Sequence, residues 1–505
     1  MRNITVYRIS FVFITACILF YKLYILFVYG AHRIDEDQAL MWYGTASFLS
    51  GGILEPHFLG QMYGSMIESI IAVPMYYLGL PLQYALPLAT LVLWSAPFIV
   101  CAYFAGLKNE VMACFILLLS LCFNYDYDII TNIPRSFLGG FIFSIIGVVA
   151  LLEDYLSVKY KMLICPILFS IAFIITDSTI ATSCIGLLYF FVHHSSDFCA
   201  HKFLVGFEVG GLIILYCNRL FYILNPEYVI YVSAPFFALT IDTIKTNLIN
   251  IDGLLSSFSC VNVGSIPIAL IFVCIALMIY NLRNASKRNF IVYATIFLGF
   301  LFVLSLNKSL DYEDKISYSQ VRMFIFYPYS LALLMYMLSK DTIYTVRIKE
   351  LSAIGICGLC TAMLVYKVCL FNNALNADRS LYRQFIRNER VSVLYDTASY
   401  IKELAAKNKS KIVVILGIEP LVGYSSTALN YGAYESYNAY FDRRSSIYKR
   451  FRDNEINDNV MFVYCRNNRV DKIDVAHVSG SLIEYISKKY YIERNKIHGY
   501  SAGIY

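Results

Sequence analysis

The sequence predicts a polytopic α-helical membrane protein with about eleven transmembrane helices, followed by a small α/β domain at the C-terminal end. Of the 505 residues, 58% are hydrophobic and only 15% are charged, which is too apolar for a soluble domain. From about residue 376 the chain instead becomes rich in Arg, Asn, Lys, Asp, Glu and Tyr. We therefore expect a transmembrane domain over residues 1–375 and a polar domain over residues 376–505.

The candidate transmembrane helices are runs of roughly 20 apolar residues, the length that crosses a bilayer, with shorter runs accepted where the region is thin or kinked. The first follows Arg2 and Arg8 and has no small-residue cleavage site, so we expect it to remain as an uncleaved helix. The candidates are approximately 9–29, 83–105, 111–124, 137–155, 161–176, 179–193, 203–218, 264–282, 290–306, 321–338 and 351–371.

Charged residues orient these helices. One set of loops is basic, with Lys108, Lys159, Lys161, Lys202, Arg283, Lys287, Arg288, Lys340, Arg347 and Lys349. The opposite set is mainly acidic, with Asp35, Glu36, Asp37, Glu55, Asp126, Asp128, Asp311, Glu313 and Asp314. By the positive-inside rule the basic loops are cytoplasmic. The N-terminus is then cytoplasmic, and an odd number of crossings places the C-terminal domain outside.

Two outer segments deserve separate interpretation. Residues 65–80 are apolar but short and contain Glu68 and Pro74, so we expect an interfacial helix on the outer membrane face rather than a crossing. A crossing there would also reverse every later loop. Residues 219–262 read as a second long outer loop, which either covers a site or simply connects two helices.

The polar domain shows both helical and strand patterns. A helix is predicted over 391–407 and over 479–490, and buried strands over 411–417 and 460–464. Neither a G-x-G-x-x-G motif nor a P-loop is present, so nucleotide binding has little support. The net charge of +6 is scattered in short clusters, which argues against nucleic acid as a partner.

Cysteine usage indicates neither disulfides nor a redox centre. Of the 14 cysteines, Cys465 alone lies in the polar domain, so no disulfide framework is predicted there. Cys357 and Cys360 have CxxC spacing but lie in an apolar run, where small residues pack helices together. We interpret them as packing residues.

The first outer loop carries the most informative cluster, Asp35, Glu36 and Asp37, directly after the first span. Carboxylates beside a membrane are costly to desolvate and are usually placed there for chemistry or ion handling. Adjacent side chains point in different directions, so one carboxylate is expected to face a given substrate. The alternative is a solvated acidic loop; the position at the membrane boundary favours function.

The segments around this cluster resemble a known family. After Asp35 and Glu36 come a helix ending at Ser50, Gly51 and Gly52, a stretch with His57, Gln61 and Tyr63, and the interfacial helix. This order resembles the GT-C superfamily of integral-membrane glycosyltransferases, which includes protein O-mannosyltransferases and the aminoarabinose transferases of lipid A. The resemblance implies that an acidic residue of this loop faces the acceptor.

The resemblance implies further site residues. Asp35, or its neighbour Glu36, would be the catalytic carboxylate, although Asp37 departs from the family's usual Asp-Glu pair. Arg322, before aromatic residues and Pro328, resembles an arginine that binds the lipid phosphate of the donor, with Arg135 as a second candidate. Snorkelling or headgroup anchoring is the alternative for both. The remaining candidate substrate-binding residues are Asp37, His57, Gln61, Tyr63 and Asp177.

The implied reaction transfers a sugar from a polyprenyl-phosphate-linked donor to an acceptor hydroxyl at the outer face of a bacterial inner membrane. Asp35 would act as general base, with inversion at the anomeric carbon. The preferred acceptor is lipopolysaccharide O-antigen, ahead of lipid A, protein and teichoic-type polymers. The sequence identifies no definite cofactor, and a divalent metal ion held by Asp35, Glu36, His57 and Asp126 stays an open alternative, because no ligand spacing defines a site.

Two other functions remain open. A transporter or flippase of lipid-linked sugars would place charged residues mid-span, where the sequence offers only Glu208. A glycan polymerase or ligase would carry Arg and His in one large late loop, whereas residues 307–320 are short and lack His. Both patterns fit less well than a transferase with acids at the outer face.

Overall fold

A computed structural model gives the architecture of part of the chain. It describes residues 2–51, 57, 64–107, 109–123, 125–134, 136, 138–153, 156–176, 178–193, 198–225, 325–340, 350–376, 389–416, 420–438, 455–466, 469–482 and 484–486. Two predicted transmembrane helices, 264–282 and 290–306, lie outside these residues.

The membrane part consists of helices in succession. Their bounds are α1 (Arg2–Ile25), α2 (Glu36–Leu49), α3 (Ile67–Tyr77), α4 (Leu82–Gly106), α5 (Glu110–Leu119), α6 (Tyr125–Ile130), α7 (Gly139–Leu152), α8 (Val158–Ile175), α9 (Thr179–His193), α10 (Phe198–Leu224), α11 (Phe326–Lys340) and α12 (Glu350–Asn376). A π-helical turn, Leu26–Gly30, extends α1, and a two-residue strand β1 (Arg33–Ile34) precedes α2.

Within the described residues, five segments are long and apolar enough to cross a membrane: Arg8–Gly30, Leu82–Gly106, Val158–Ile175, Val205–Leu224 and Gly355–Asn373. Four shorter apolar helices are Glu110–Leu119, Gly139–Leu152, Thr179–Val192 and Pro328–Met337. Each of the nine overlaps a predicted transmembrane helix. The chain is therefore a polytopic α-helical membrane protein, as predicted.

One predicted boundary is wrong. The second outer loop was expected to begin near residue 219, but α10 continues to Leu224. The Asn225 N–H still bonds to the Phe221 carbonyl at 2.9 Å. A helix can carry polar side chains past the end of its apolar run.

Aromatic side chains from three helices pack together at the centre of the helical bundle. Tyr329 of α11 lies between Phe98 of α4, at a ring distance of 5.2 Å, and Phe141 of α7, at 4.6 Å.

Small residues allow other helices to approach closely. A Cβ atom at Gly147 of α7 would lie 2.6 Å from the Phe169 ring of α8, so this crossing requires glycine.

The first outer loop contains two packed helices, α2 and α3. The α3 helix has 11 residues, about 16 Å in length, which is far short of the roughly 30 Å needed to cross. Its length agrees with the prediction of a non-crossing helix. The Ser69 hydroxyl of α3 donates to the Met41 carbonyl of α2 at 3.0 Å, which joins the two helices.

The polar C-terminal part is an α/β unit. Its strands are β2 (Glu389–Arg390), β3 (Ile412–Leu416), β4 (Glu435–Asn438), β5 (Glu455–Arg466) and β6 (Arg469–Ser481), and its helices are α13 (Val391–Lys407) and α14 (Pro420–Leu429). The sheet order is β4-β3-β5-β6, with β3 parallel to both neighbours and β6 antiparallel to β5. All five residues of β3 are buried.

Some of these elements were predicted and others were not. The helix over 391–407 and the strand over 411–417 are present. The predicted helix over 479–490 is wrong in its first turn, because β6 runs to Ser481. The α14 and β6 elements went unrecognised, since β6 is mostly exposed and alternates too weakly for a strand pattern.

The C-terminal part shares a core with the first outer loop. Strand β1 pairs antiparallel with β2, and the Val391 N–H donates to the His32 carbonyl at 3.1 Å. The Trp42 ring of α2 packs edge-on against Tyr395 of α13 at 5.9 Å. Residues from α2, α3, α4, α13, α14 and the sheet form one buried cluster. The α2 helix is thereby held between the membrane part and the α/β unit.

Candidate functional site

The acidic cluster of the first loop lies at the start of α2. Asp35 has extended backbone angles and is the N-cap residue; its Oδ1 accepts a hydrogen bond from the Gln38 N–H at 3.1 Å. Only 5% of Asp35 is exposed. A capping aspartate satisfies a helix N–H and interacts favourably with the helix dipole. The local sequence therefore gives Asp35 a structural role, and its position at the membrane boundary leaves a catalytic one open.

The neighbouring acids are placed differently. Glu36 is the first residue of α2, and its side chain lies outside the described residues. Asp37 is half-buried on the same turn and has interactions of its own. The cap bond orients the Asp35 carboxylate.

Backbone hydrogen bonds bring together three segments that carry predicted site residues. The Gly64 N–H donates to the Ile175 carbonyl at 2.8 Å, and the Ser65 N–H donates to the Ser136 carbonyl at 3.1 Å. Tyr63, Arg135 and Asp177 are immediate or near neighbours of these residues in the chain. The fold thus gathers the three segments at one place, the beginning of α3.

Several predicted site residues lie outside the described part of the chain. These are Gln61, Tyr63, Arg135, Asp177 and Arg322. Described residues flank three of them in the chain, whereas Arg322 lies four residues before α11 begins at Phe326. The roles predicted for these five residues stay predictions.

His57 connects the first loop to α10. Its N–H donates to the Tyr222 hydroxyl at 3.1 Å, its Nε2 lies 3.1 Å from the Asn218 amide nitrogen, and its ring stacks on Tyr222 at 5.7 Å. An Nε2 that accepts from the Asn218 amide nitrogen belongs to the neutral imidazole. Burial lowers the pKa of His57 below its usual 6.5. These contacts make His57 an anchor of the loop.

Side chains from α1, α6 and α12 form a buried charge cluster, which the sequence analysis did not predict. The Asp128 carboxylate of α6 accepts hydrogen bonds from Lys22 of α1 at 2.9 Å and from the Tyr21 hydroxyl at 3.0 Å, and it also pairs with Lys367 of α12. All three charged side chains are fully buried. Asp128 was assigned to the loop between two predicted spans; in the structure it lies on the short helix α6 between α5 and α7, with its carboxylate buried.

The lysines of this cluster have further partners. Lys22 donates to the Thr131 hydroxyl at 2.9 Å and lies 3.9 Å above the Trp94 ring. Lys367 donates to the Phe123 carbonyl at 2.6 Å. Single lysines in apolar runs resemble snorkelling residues, so only the tertiary structure could reveal that two of them share one carboxylate.

Metal ligation finds no support in the described part of the structure. There, no three His, Cys, Asp or Glu side chains lie close enough together to hold an ion. The predicted metal site would use Asp35, Glu36, His57 and Asp126. The side chains of Glu36 and Asp126 lie outside the described residues, so the structure does not test this set. His57 instead uses its ring for contacts with α10.

Tyr434 lies between α14 and β4 in the C-terminal part. Its hydroxyl lies 2.7 Å from the Ser426 hydroxyl and accepts from the Asn430 amide at 2.9 Å. Burial raises the pKa of Tyr434. The side chain therefore fastens α14 to the following turn.

Comparison with known proteins gives a match in structure only. No protein-family model matches the chain, and no curated protein sequence matches it. The crystal structure of ArnT from Cupriavidus metallidurans in the apo state is similar, with a TM-score of 0.51 and 13% sequence identity over 93% of this chain and 98% of that chain. The crystal structure of the same protein bound to undecaprenyl phosphate has a TM-score of 0.43 and 13% identity, over 89% and 92% of the two chains.

At 13% identity, the likeness to the apo structure concerns the fold. It extends over nearly the whole of both chains, including the C-terminal part. The chain therefore shares its fold with ArnT.

Proposed function

We propose that this chain is a glycosyltransferase that moves a sugar from a polyprenyl-phosphate-linked donor to an acceptor hydroxyl. The observation that carries the proposal is the likeness in fold to ArnT over almost the full length of both chains. The acids of the first outer loop, which the resemblance implicates, begin a helix that packs against both other parts of the molecule.

Asp35 is the proposed general base, which would take the proton of the acceptor hydroxyl as that oxygen attacks the anomeric carbon. Such a base contributes about 10²- to 10⁴-fold to a rate. Its Oδ1 accepts the cap bond, which orients the carboxylate at the start of α2. Glu36 is the alternative base. Attack opposite the departing phosphate inverts the anomeric centre.

Arg322 and Arg135 are proposed to bind the donor phosphate. A guanidinium binds a phosphate through two parallel hydrogen bonds and stabilises the charge that develops on it as the sugar departs. Support for Arg135 comes from its neighbour Ser136, which is held against the start of α3. Asp37, His57, Gln61, Tyr63 and Asp177 are proposed to contribute to substrate binding from the same region.

The membrane face of the proposed site is inferred from the lipid-linked donor. Lipid-linked sugars are used where nucleotide sugars are absent, so we place the site at the outer face of a bacterial inner membrane, with the N-terminus cytoplasmic and residues 376–505 periplasmic. Lipopolysaccharide O-antigen is the proposed acceptor. The other partners are the membrane lipids themselves.

Mass spectrometry of lipopolysaccharide tests the proposal. Matched cells would carry empty vector, the wild-type chain, Asp35→Asn, or Glu403→Gln as a control on the exposed face of α13, all at equal membrane abundance. A sugar-sized mass gain with wild type and Glu403→Gln that is lost with Asp35→Asn supports the proposal. A gain that persists in Asp35→Asn would leave a transferase with another base.

The acceptor and the reaction class are tested separately. Membranes would be given a radiolabelled polyprenyl-phosphate sugar, and all glycans, lipid A and proteins would be searched for label. Label in a product other than O-antigen would correct the acceptor. Label that appears in no product, but crosses the bilayer on its lipid, would instead indicate a flippase.

A further inference from the structure

Glu68, in the first turn of α3, is a fully buried acid that the proposed reaction does not use. Its Oε2 accepts a hydrogen bond from the Ser136 backbone N–H at 2.6 Å, and its Oε1 lies 3.4 Å from the Thr90 hydroxyl, which can donate to it. A buried carboxylate is unfavourable unless its interactions compensate for lost hydration. The short bond to Ser136 is of the charge-assisted kind that does so.

Ser136 has an unusual backbone. Its φ angle is +69°, in the left-handed region that residues other than glycine seldom adopt. Such a conformation persists only where the surroundings hold it, and it occurs most often at functional sites. Both backbone hydrogen-bonding groups of Ser136 are held: the N–H by Glu68, and the carbonyl by the Ser65 N–H at 3.1 Å.

A packing contact independently joins the same two segments. The start of α7 lies against α3 so closely that a Cβ atom on Gly139 would be 2.3 Å from Cγ2 of Ile67. Ile67 is the residue before Glu68. The chain around residues 136–139 is therefore fastened to the first turn of α3 by a carboxylate, a backbone hydrogen bond and a side-chain contact.

We infer that Glu68 is a positioning residue for Arg135. By accepting the hydrogen bond from the Ser136 N–H, Glu68 holds the residue that directly follows Arg135 in the chain, and we expect it to act on the phosphate site through that residue. Glu68 does not itself need to touch the donor. This inference rests on the proposed function, because it concerns the phosphate site of that reaction.

Affinity for undecaprenyl phosphate, measured by native mass spectrometry of the purified full chain, tests the inference without requiring turnover. Glu68→Leu removes the acceptor of the Ser136 N–H, and we expect the affinity to fall roughly tenfold or more, as for loss of a hydrogen bond to a charged group. Glu68→Gln keeps an acceptor oxygen at the same place and should lose less. If Glu68→Leu does not fold, the comparison of Glu68→Gln with wild type still tests the inference.

A double-mutant cycle separates positioning from general stability. If Glu68 acts through Arg135, then Glu68→Leu should change the affinity less than twofold in an Arg135→Gln background. Ser136→Gly should partly restore Glu68→Leu, because glycine adopts a positive φ without being held. Additive effects of Glu68→Leu and Arg135→Gln would overturn the inference.

Amide hydrogen exchange of Ser136 supplies a second readout. The exchange should rise at least tenfold in Glu68→Leu, while that of β3 amides stays unchanged. Unchanged exchange at Ser136 would also overturn the inference. If the wild-type chain binds undecaprenyl phosphate yet transfers no sugar to any acceptor, the proposed function fails while these two measurements still decide the role of Glu68.

Discussion

The ammonium group of Lys22 lies 2.9 Å from the carboxylate of Asp128, and both side chains are completely buried. Lys367 pairs with the other oxygen of the same carboxylate. One acid therefore joins the first membrane helix, α6 and the helix that leads into the C-terminal part. Two positive charges share one negative charge, so the cluster depends on Asp128 more than on either lysine.

Replacing Asp128 should strongly destabilise the protein. Asp128→Asn leaves two buried ammonium groups without a counter-charge, which typically costs about 3–5 kcal/mol. Thermal unfolding in detergent would measure the loss, with Glu208→Gln on the exposed face of α10 as the control. The triple variant Lys22→Met, Asp128→Leu, Lys367→Met should recover much of it, since apolar replacements of a whole buried cluster are often tolerated. An unchanged melting temperature in Asp128→Asn would contradict this account.

Two substitutions of Asp35 should separate its structural and proposed chemical roles. Asparagine caps helices as well as aspartate, so Asp35→Asn should change stability by less than about 0.5 kcal/mol while transfer falls about 10²- to 10⁴-fold. Asp35→Ala removes the cap as well and should cost about 1 kcal/mol. Thermal unfolding and product formation would be measured on the same preparations. If both variants lost the same amount of stability, the hydrogen bond of the helix cap would not be the interaction that holds Asp35 in place.

His57 should make the contact between the first loop and α10 sensitive to acid. Its folded-state pKa is lowered by burial, so the unfolded chain binds the proton more readily. The stability that neutral His57 contributes is therefore present above about pH 6.5 and is lost as the pH falls through the folded-state value. The stability difference between wild type and His57→Gln should be larger at pH 8 than at pH 5. A difference that grows on acidification would reverse the sign and refute the account.

The docking of the C-terminal part on α2 should depend on Tyr395. This ring packs on Trp42 at 5.9 Å, and burial raises its pKa to about 12. Tyr395→Ala should cost about 2–4 kcal/mol, as for other large side chains removed from a packed site. Tyr400 on the same helix is 51% exposed, and Tyr400→Ala should cost less than about 0.5 kcal/mol. Similar unfolding temperatures for the two variants would argue against a shared core.

Local sequence patterns predicted the regular elements well where the periodicity was strong. The apolar runs gave nine described helices, and the amphipathic stretch 391–407 became α13. Boundaries failed where polar residues continue a helix, as at Asn218 in α10, or where a strand is exposed, as in β6. Sequence periodicity reflects the burial of one face of a helix or strand, and few side chains in these segments are buried.

For the site, the sequence by itself determined the type of protein, the GT-C resemblance and the acidic N-cap of α2, because hydropathy, residue order and capping are local properties. Only the tertiary structure decided which distant groups meet. It brought Glu68 to Ser136, joined Lys22 and Lys367 through Asp128, and packed Trp42 on Tyr395. These pairs are separated by up to several hundred residues, and no local pattern records a contact that exists only after helices from both ends of the chain have packed together.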